Sequence, residues 1–376
     1  MSIIAHERYR SKVLDKSSGL AYFSTGVPIS GSGTRHNYKS EECWDWVRPK
    51  SDHKIYPLEI LSYEEKGGLL NKDGSQGNHS VFQNYVPAVY TWGNFPHHSD
   101  GSMPGNPSDT QVAVNAASRT NPSRPYVDVP NLVFELGDIA QLLRDSGKSL
   151  LKKGAHYNLA YQFGIAPIVS DFVKLVQFAD AFHKRMEEIK RLMSDRGLRR
   201  TTEHGTYSAS GVYIKTLQSQ GVFRSGAFFA NTKQVVRAHC RWLPSITFQA
   251  LAAKDVDWLV RRAMHGLEFN LHTVWESLPW TWMIDYFSSV GQYLKTKRNI
   301  IPCYLDGVAV MRHTTTQYEF AGYKEADFEF DRSTVLRDSK SRKRVVVAAE
   351  AHVPFLTANQ LSILASLLVT RNGSYR

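Results

Sequence analysis

Residues 167–193, PIVSDFVKLVQFADAFHKRMEEIKRLM, decide how the chain is read. Ile168, Phe172, Leu175, Ala179, Phe182, Met186, Ile189 and Met193 recur at alternating intervals of four and three. That period puts all eight on one helical stripe, as in a heptad seam. Asp180–Lys184 and Glu187–Arg191 sit four apart between them and support the helix as surface ion pairs. Pro167 suits a first helical turn and Gly197 a stop. The spacing predicts a rod roughly 40 Å long at 1.5 Å per residue. Such a helix must lay its stripe on other helices, so the stretch predicts the core of a bundle.

Outward from this rod, helix is expected over Asp138–Arg144 and Leu150–Gln162, with Gly164–Pro167 as the break. After Arg199-Arg200 the period switches to two, and residues 205–242 read as three strands. In the last of these, Val236, Ala238, Cys240 and Trp242 oppose Arg237, His239 and Arg241. Helix returns near Thr247, with Val256, Leu259, Val260 and Ala263 as its apolar face. Val274–Phe287 places Trp275, Trp280 and Trp282 close together and continues the seam through Met283, Phe287, Val290 and Leu294. Lys295, Lys297 and Arg298 then suit a helix C-terminus.

Residues 308–350 return to alternation, with Lys340–Arg344 expected in a turn, and Thr357–Thr370 reads as a final helix with a capping box. Residues 1–130 read as β and loop, with strands around Leu20–Phe23, Lys54–Tyr63 and Ser80–Trp92 and an exposed, turn-rich loop over 94–109. The expected fold class is therefore α+β, with a helical bundle region (131–202, 246–299 and 354–376) and a separate antiparallel β region (1–130, 203–245 and 300–353) interleaved in sequence.

The net charge of +11 and a pI near 9.4 point to a polyanionic partner such as nucleic acid. Residues 1–130 are charge-balanced, so the whole excess falls in the remainder. Cys43, Cys240 and Cys303 form neither a metal spacing nor a disulfide framework, which fits synthesis in a reducing cytosol. The opening MSIIAHERYRSK lacks a signal-peptide apolar run, and no run of 18 apolar residues exists, so neither export by the usual route nor a membrane span is expected.

His97-His98 lacks further ligands at metal spacing. Gly147-Lys148-Ser149 is not a phosphate loop, because Leu142 stands where the first glycine belongs. There is no HExxH, no nucleophilic cysteine context and no acid–base constellation. Binding is expected rather than catalysis, with no metal and no cofactor.

Three segments carry a resemblance. Arg119-Thr-Asn-Pro-Ser-Arg-Pro125 is followed by Val127-Asp-Val-Pro130 and Glu135-Leu-Gly-Asp138. Tyr161-Gln-Phe-Gly-Ile-Ala-Pro-Ile-Val-Ser-Asp171 and Val274-Trp-Glu, with Pro279 and Asp285-Tyr286, follow in order. Together they resemble the maturation proteins of small single-stranded RNA bacteriophages. Ile165-Ala166 stand around the turn in place of the usual Trp-Leu, and Tyr286 in place of the second Trp.

The resemblance implies an elongated protein present once in the virion, where it replaces a coat-protein dimer in the shell. It implies a helical end holding 3′ stem-loops of the genomic RNA and a β end adsorbing to a bacterial pilus. The protein would be made in the host bacterial cytoplasm and enter the next host with the RNA. The motifs carry over the fold and identify no individual contacts.

From charge and position, the RNA-contact candidates are Lys184, Arg185, Lys190, Arg196, Arg199, Arg200, Arg261, Arg262, Lys295, Lys297 and Arg298. Two other functions fit a basic chain: an RNA-processing enzyme and a non-viral RNA-binding scaffold.

Overall fold

The computed structural model describes residues 5–17, 20–23, 35–49, 52, 54–67, 70–72, 80–85, 95, 97, 103, 105–126, 177–219, 222–265, 267, 288–325 and 328–348. Two compact units emerge, each built from three stretches of chain. Unit 1 comprises Met1–Pro107, Glu203–Ala238 and Ala309–Arg344; unit 2 comprises Ser108–Thr202, His239–Val308 and Val345–Arg376.

Antiparallel β structure dominates. The strands are β1 (His6–Ser17), β2 (Leu20–Phe23), β3 (Arg35–Val47), β4 (Leu58–Gly67), β5 (Leu70–Lys72), β6 (Ser80–Tyr85), β7 (Leu198–Ser219), β8 (Val222–Pro244), β9 (Cys303–Phe320), β10 (Tyr323–Glu325), β11 (Phe328–Phe330) and β12 (Ser333–Val345). They form a seven-stranded sheet ordered β1-β3-β4-β12-β9-β8-β7 and a five-stranded sheet ordered β10-β11-β5-β6-β2.

The described helices are α1 (Asp109–Thr120), α2 (Phe178–Leu192), α3 (Ile246–Gln249), α4 (Ala253–Met264) and α5 (Val290–Thr296). The longest has 15 residues, whereas β7 and β8 have 22 and 23. This overturns the expected α+β class with its helical bundle: among the described residues there are short helices and no bundle. Of the expected rod, Phe178–Leu192 is helix with Gln177 at its N-cap, and residues 167–176 lie outside the described residues.

Other expectations are corrected too. Residues 205–242 form parts of two long strands rather than three short ones. Lys340–Arg344 lies within β12, not in a turn. Residues 1–130 are not all β and loop, because α1 falls there. The loop over 94–109 buries Phe95, His97 and Met103. The segments expected as helix over 138–144, 150–162 and 357–370, and the tryptophan cluster of 275–282, lie outside the described residues.

Unit 1 is held by an aromatic core. Phe95 meets Phe228 and Tyr318 edge-on at 5.1 and 5.0 Å, and Phe320 stacks on Phe228 at 5.0 Å. Two buried hydroxyls and one imidazole nitrogen beside it are paired. His97 Nδ1 lies 2.7 Å from Thr316 Oγ1, which bonds Thr232 at 2.8 Å.

In unit 2, α1 starts with a capping box in which Ser108 and Gln111 satisfy each other's backbone N–H. Val112, Ala113, Val114, Ala116 and Ala117 are fully buried, and α1 packs on α5. Small side chains bring the two backbones close, which the turn after α1 exploits. Gly197, at φ +68°, turns the chain from α2 into β7. A Cβ there would fall 2.4 Å from the Trp242 carbonyl oxygen, so only glycine fits.

Candidate nucleic-acid interface

The stretch that carries the first resemblance proves to be a structural knot within unit 2. Asn121 follows α1 directly, and its Nδ2 amide lies 3.0–3.2 Å from the carbonyl oxygens of Lys295, Thr296 and Arg298. Those carbonyls lie at and just past the C-terminus of α5, so one side chain caps a helix distant in sequence. Asn121 Oδ1 accepts from the Ser123 backbone, and Ser123 Oγ accepts from the Ile301 N–H at 2.9 Å. The Tyr126 N–H donates to the Met264 carbonyl at the end of α4. Thr120 Oγ1 accepts from the Trp242 indole at 3.1 Å. Residues 120–126 thus tie α1, α4, α5 and β8 together, with their polar groups spent on the fold.

Arginines converge beside the knot. Glu188 on α2 receives Arg124 through both carboxylate oxygens at 3.0 and 3.1 Å and Arg200 at 2.5 Å; Arg185 Nε lies 3.8 Å away. Arg185 is only 6% exposed, and its Nη1 donates to the Pro122 carbonyl at 2.9 Å. Burial, with the neighbouring charges of Arg124 and Arg200, lowers its pKa to about 10 against the pull of Glu188.

The eleven candidates separate accordingly. Arg185 and Arg298 are buried and do not present a surface, which corrects their assignment as contacts. Arg200 is half-buried and committed to Glu188. Lys184, Lys190, Arg196, Arg199, Lys295 and Lys297 are exposed. Lys297 lies 5.2 Å from the Tyr293 ring.

Arg261 and Arg262 share α4. The Arg261 guanidinium sits 4.3 Å over Phe182 of α2 and pairs with Asp257 at 2.9 Å. Arg262 sits 5.4 Å from the Trp258 ring and donates through Nε to the Leu267 carbonyl. The structure therefore brings together Arg185 with Arg200, and α4 with α2 through Arg261.

On β8 the alternation holds: Val236, Ala238, Cys240 and Trp242 are buried. The opposite face is largely self-neutralised, because Arg237 pairs with Glu203 and Arg241 with Asp306.

With the geometry in place, comparison with known proteins adds nothing to it. No family model and no curated protein matches the chain.

No group of three or more metal-ligating side chains occurs among the described residues. Cys43, Cys240 and Cys303 are free thiols. Burial pushes Cys240 up to about 11 and Cys303 up to about 12, so neither is a thiolate at neutral pH. No described helix is long and apolar enough to cross a membrane.

Sequence reasoning missed Arg124 and Trp258. Arg124 was visible only as part of a motif. Trp258 had a signal: it lies off the apolar face of Val256, Val260 and Ala263.

Proposed function

We propose that the chain is the single-copy maturation and attachment protein of a small RNA phage virion. In this reading, unit 2 binds the genomic RNA near its 3′ end within the coat shell, unit 1 adsorbs to a host pilus, and the protein enters with the RNA. Its role is binding, without catalysis or a cofactor.

The observation that supports this reading most is the knot at Asn121–Arg124. Its polar atoms are spent on backbone carbonyls distant in sequence, so the residues that carry the resemblance to the maturation proteins are the ones that hold unit 2 together. The exposed cations Lys184, Lys190, Arg196, Lys295 and Lys297, on the same unit, supply the phosphate chemistry.

The test measures binding of the full chain to single-stranded RNA across a salt series. The affinity is expected to fall log-linearly, with a slope near −0.7 per neutralised phosphate. A salt-independent affinity, or RNA cleavage lost on a single Asp or Glu change, overturns the reading. Particles carrying one copy of the chain joined to RNA density support it.

A further inference from the structure

We infer that the concavity around Trp258 is a stacking subsite for one unpaired nucleotide of single-stranded RNA. This rests on the RNA-binding reading and goes beyond it by naming the chemical state of the RNA and the side chain that receives it.

Trp258 lies on α4 with 58% of its surface exposed, although the opposite side of the same helix is sealed by Val256, Val260, Ala263 and Met264. A large indole left in water on a well-packed helix is not part of the core. Beside it, Arg261, Arg262, His265 and Leu267 complete a concavity of about 290 Å³. That is at the small end of ligand clefts and suits one planar ring rather than an extended ligand.

The walls are fixed before any ligand arrives. Arg262 is tied to the Leu267 carbonyl at 3.1 Å through Nε alone. Its two terminal nitrogens remain to meet a phosphate on the Trp258 side. Arg261 is steadied by Asp257 and by the Phe182 ring. His265 donates from Nδ1 to the Arg261 carbonyl and packs on Phe178 at 4.4 Å.

Asp257 is the acidic group bound to this cluster, and Arg261 neutralises it. Arg262 adds a cation complementary to a phosphodiester, while Lys254 and Asp255, exposed one turn earlier on α4, offset each other in charge. An exposed indole flanked by fixed guanidiniums has the two elements that single-stranded nucleic acids use: a π-face for the base and cations for the backbone. A paired base cannot reach the indole, so the subsite selects unpaired nucleotides.

The test compares wild-type chain with Trp258→Ala, Trp258→Phe and Arg262→Gln. The probes are a labelled uridine-rich 12-mer and an RNA duplex of equal length, titrated at several salt concentrations. Trp258→Ala is expected to weaken the single strand about tenfold with an unchanged salt slope, and to leave the duplex unchanged. Trp258→Phe should retain most of the affinity. Arg262→Gln should flatten the slope by about 0.7.

Because Trp258 is exposed, the thermal midpoint of Trp258→Ala should match wild type, which separates binding from folding. Equal single-strand affinity of Trp258→Ala and wild type overturns the subsite while leaving RNA binding intact. An equal loss on single strand and duplex also overturns it. A wild-type chain without salt-dependent affinity for either probe overturns the RNA reading and the subsite together.

Discussion

Glu188 is one carboxylate serving three guanidiniums, and that asymmetry decides which substitution hurts. Replacing Arg185 with Met removes a buried cation that is desolvated and crowded by Arg124 and Arg200. The methionine keeps the apolar stem in place, and Glu188 still holds its other two partners. Replacing Glu188 with Gln leaves three like charges close together without a counter-ion. Arg185→Met should therefore cost about 1–2 kcal/mol and Glu188→Gln about 3–5 kcal/mol. Urea unfolding of both variants checks the order, and a reversed order would show that Glu188 is not the anchor. In the sequence, Arg185 reads only as an exposed RNA-contact candidate three residues before Glu188. Nothing in it could show that Pro122, 63 residues earlier, would close over them.

At the scale of the element, α2 shows both what patterning can say and where it stops. The apolar period correctly marks a helix through Phe178–Leu192, but the buried face runs through Phe182, Arg185, Ile189 and Leu192. The seam drawn through Phe182, Met186, Ile189 and Met193 is rotated from that face by about one residue. An arginine was assumed to be solvated, although burial is available to it when a carbonyl and a carboxylate receive its head. Met193 is 38% exposed as a result. Phe182→Ala should cost about 3–5 kcal/mol, since the side chain is buried and supports Arg261. Met193→Ala should stay within about 0.5 kcal/mol. Equal costs at the two sites would restore the heptad seam. The strands were more legible, because alternation on β8 and β11 needs only local pattern. Strand length was not, since β7 and β8 pass through polar stretches that read locally as turns.

Over the whole molecule, the charge pattern along the chain does not become a charge difference between units. Residues 1–130 are balanced, yet units 1 and 2 hold nearly equal shares of the +11 excess, +5 and +6. Basic residues of β7, β8 and β12 join the neutral N-terminal part in unit 1. On the proposed RNA-binding reading, exposure of individual cations counts for more than net charge, as with Lys184 and Arg185, adjacent in sequence and opposite in burial.

Connectivity has a further consequence. Each unit is assembled from three stretches, and β7, β8 and β9 each contribute residues to both units. A titrating group whose partners all lie in one unit should move the unfolding of that unit. Asp338 is such a group. Burial raises its pKa, but hydrogen bonds from Thr315 at 2.5 Å and His313 at 2.6 Å outweigh it and hold the carboxyl below its ordinary 3.8. A depressed carboxyl contributes stability above its unfolded pKa and loses it as pH falls through the folded value. Wild type should therefore lose stability more steeply below about pH 4 than Asp338→Asn, which lacks the titrating group. Far-UV and aromatic signals followed through an acid titration should report the steeper loss in wild type. Equal steepness in the two proteins would show that Thr315 and His313 do not hold the Asp338 carboxyl in its charged form.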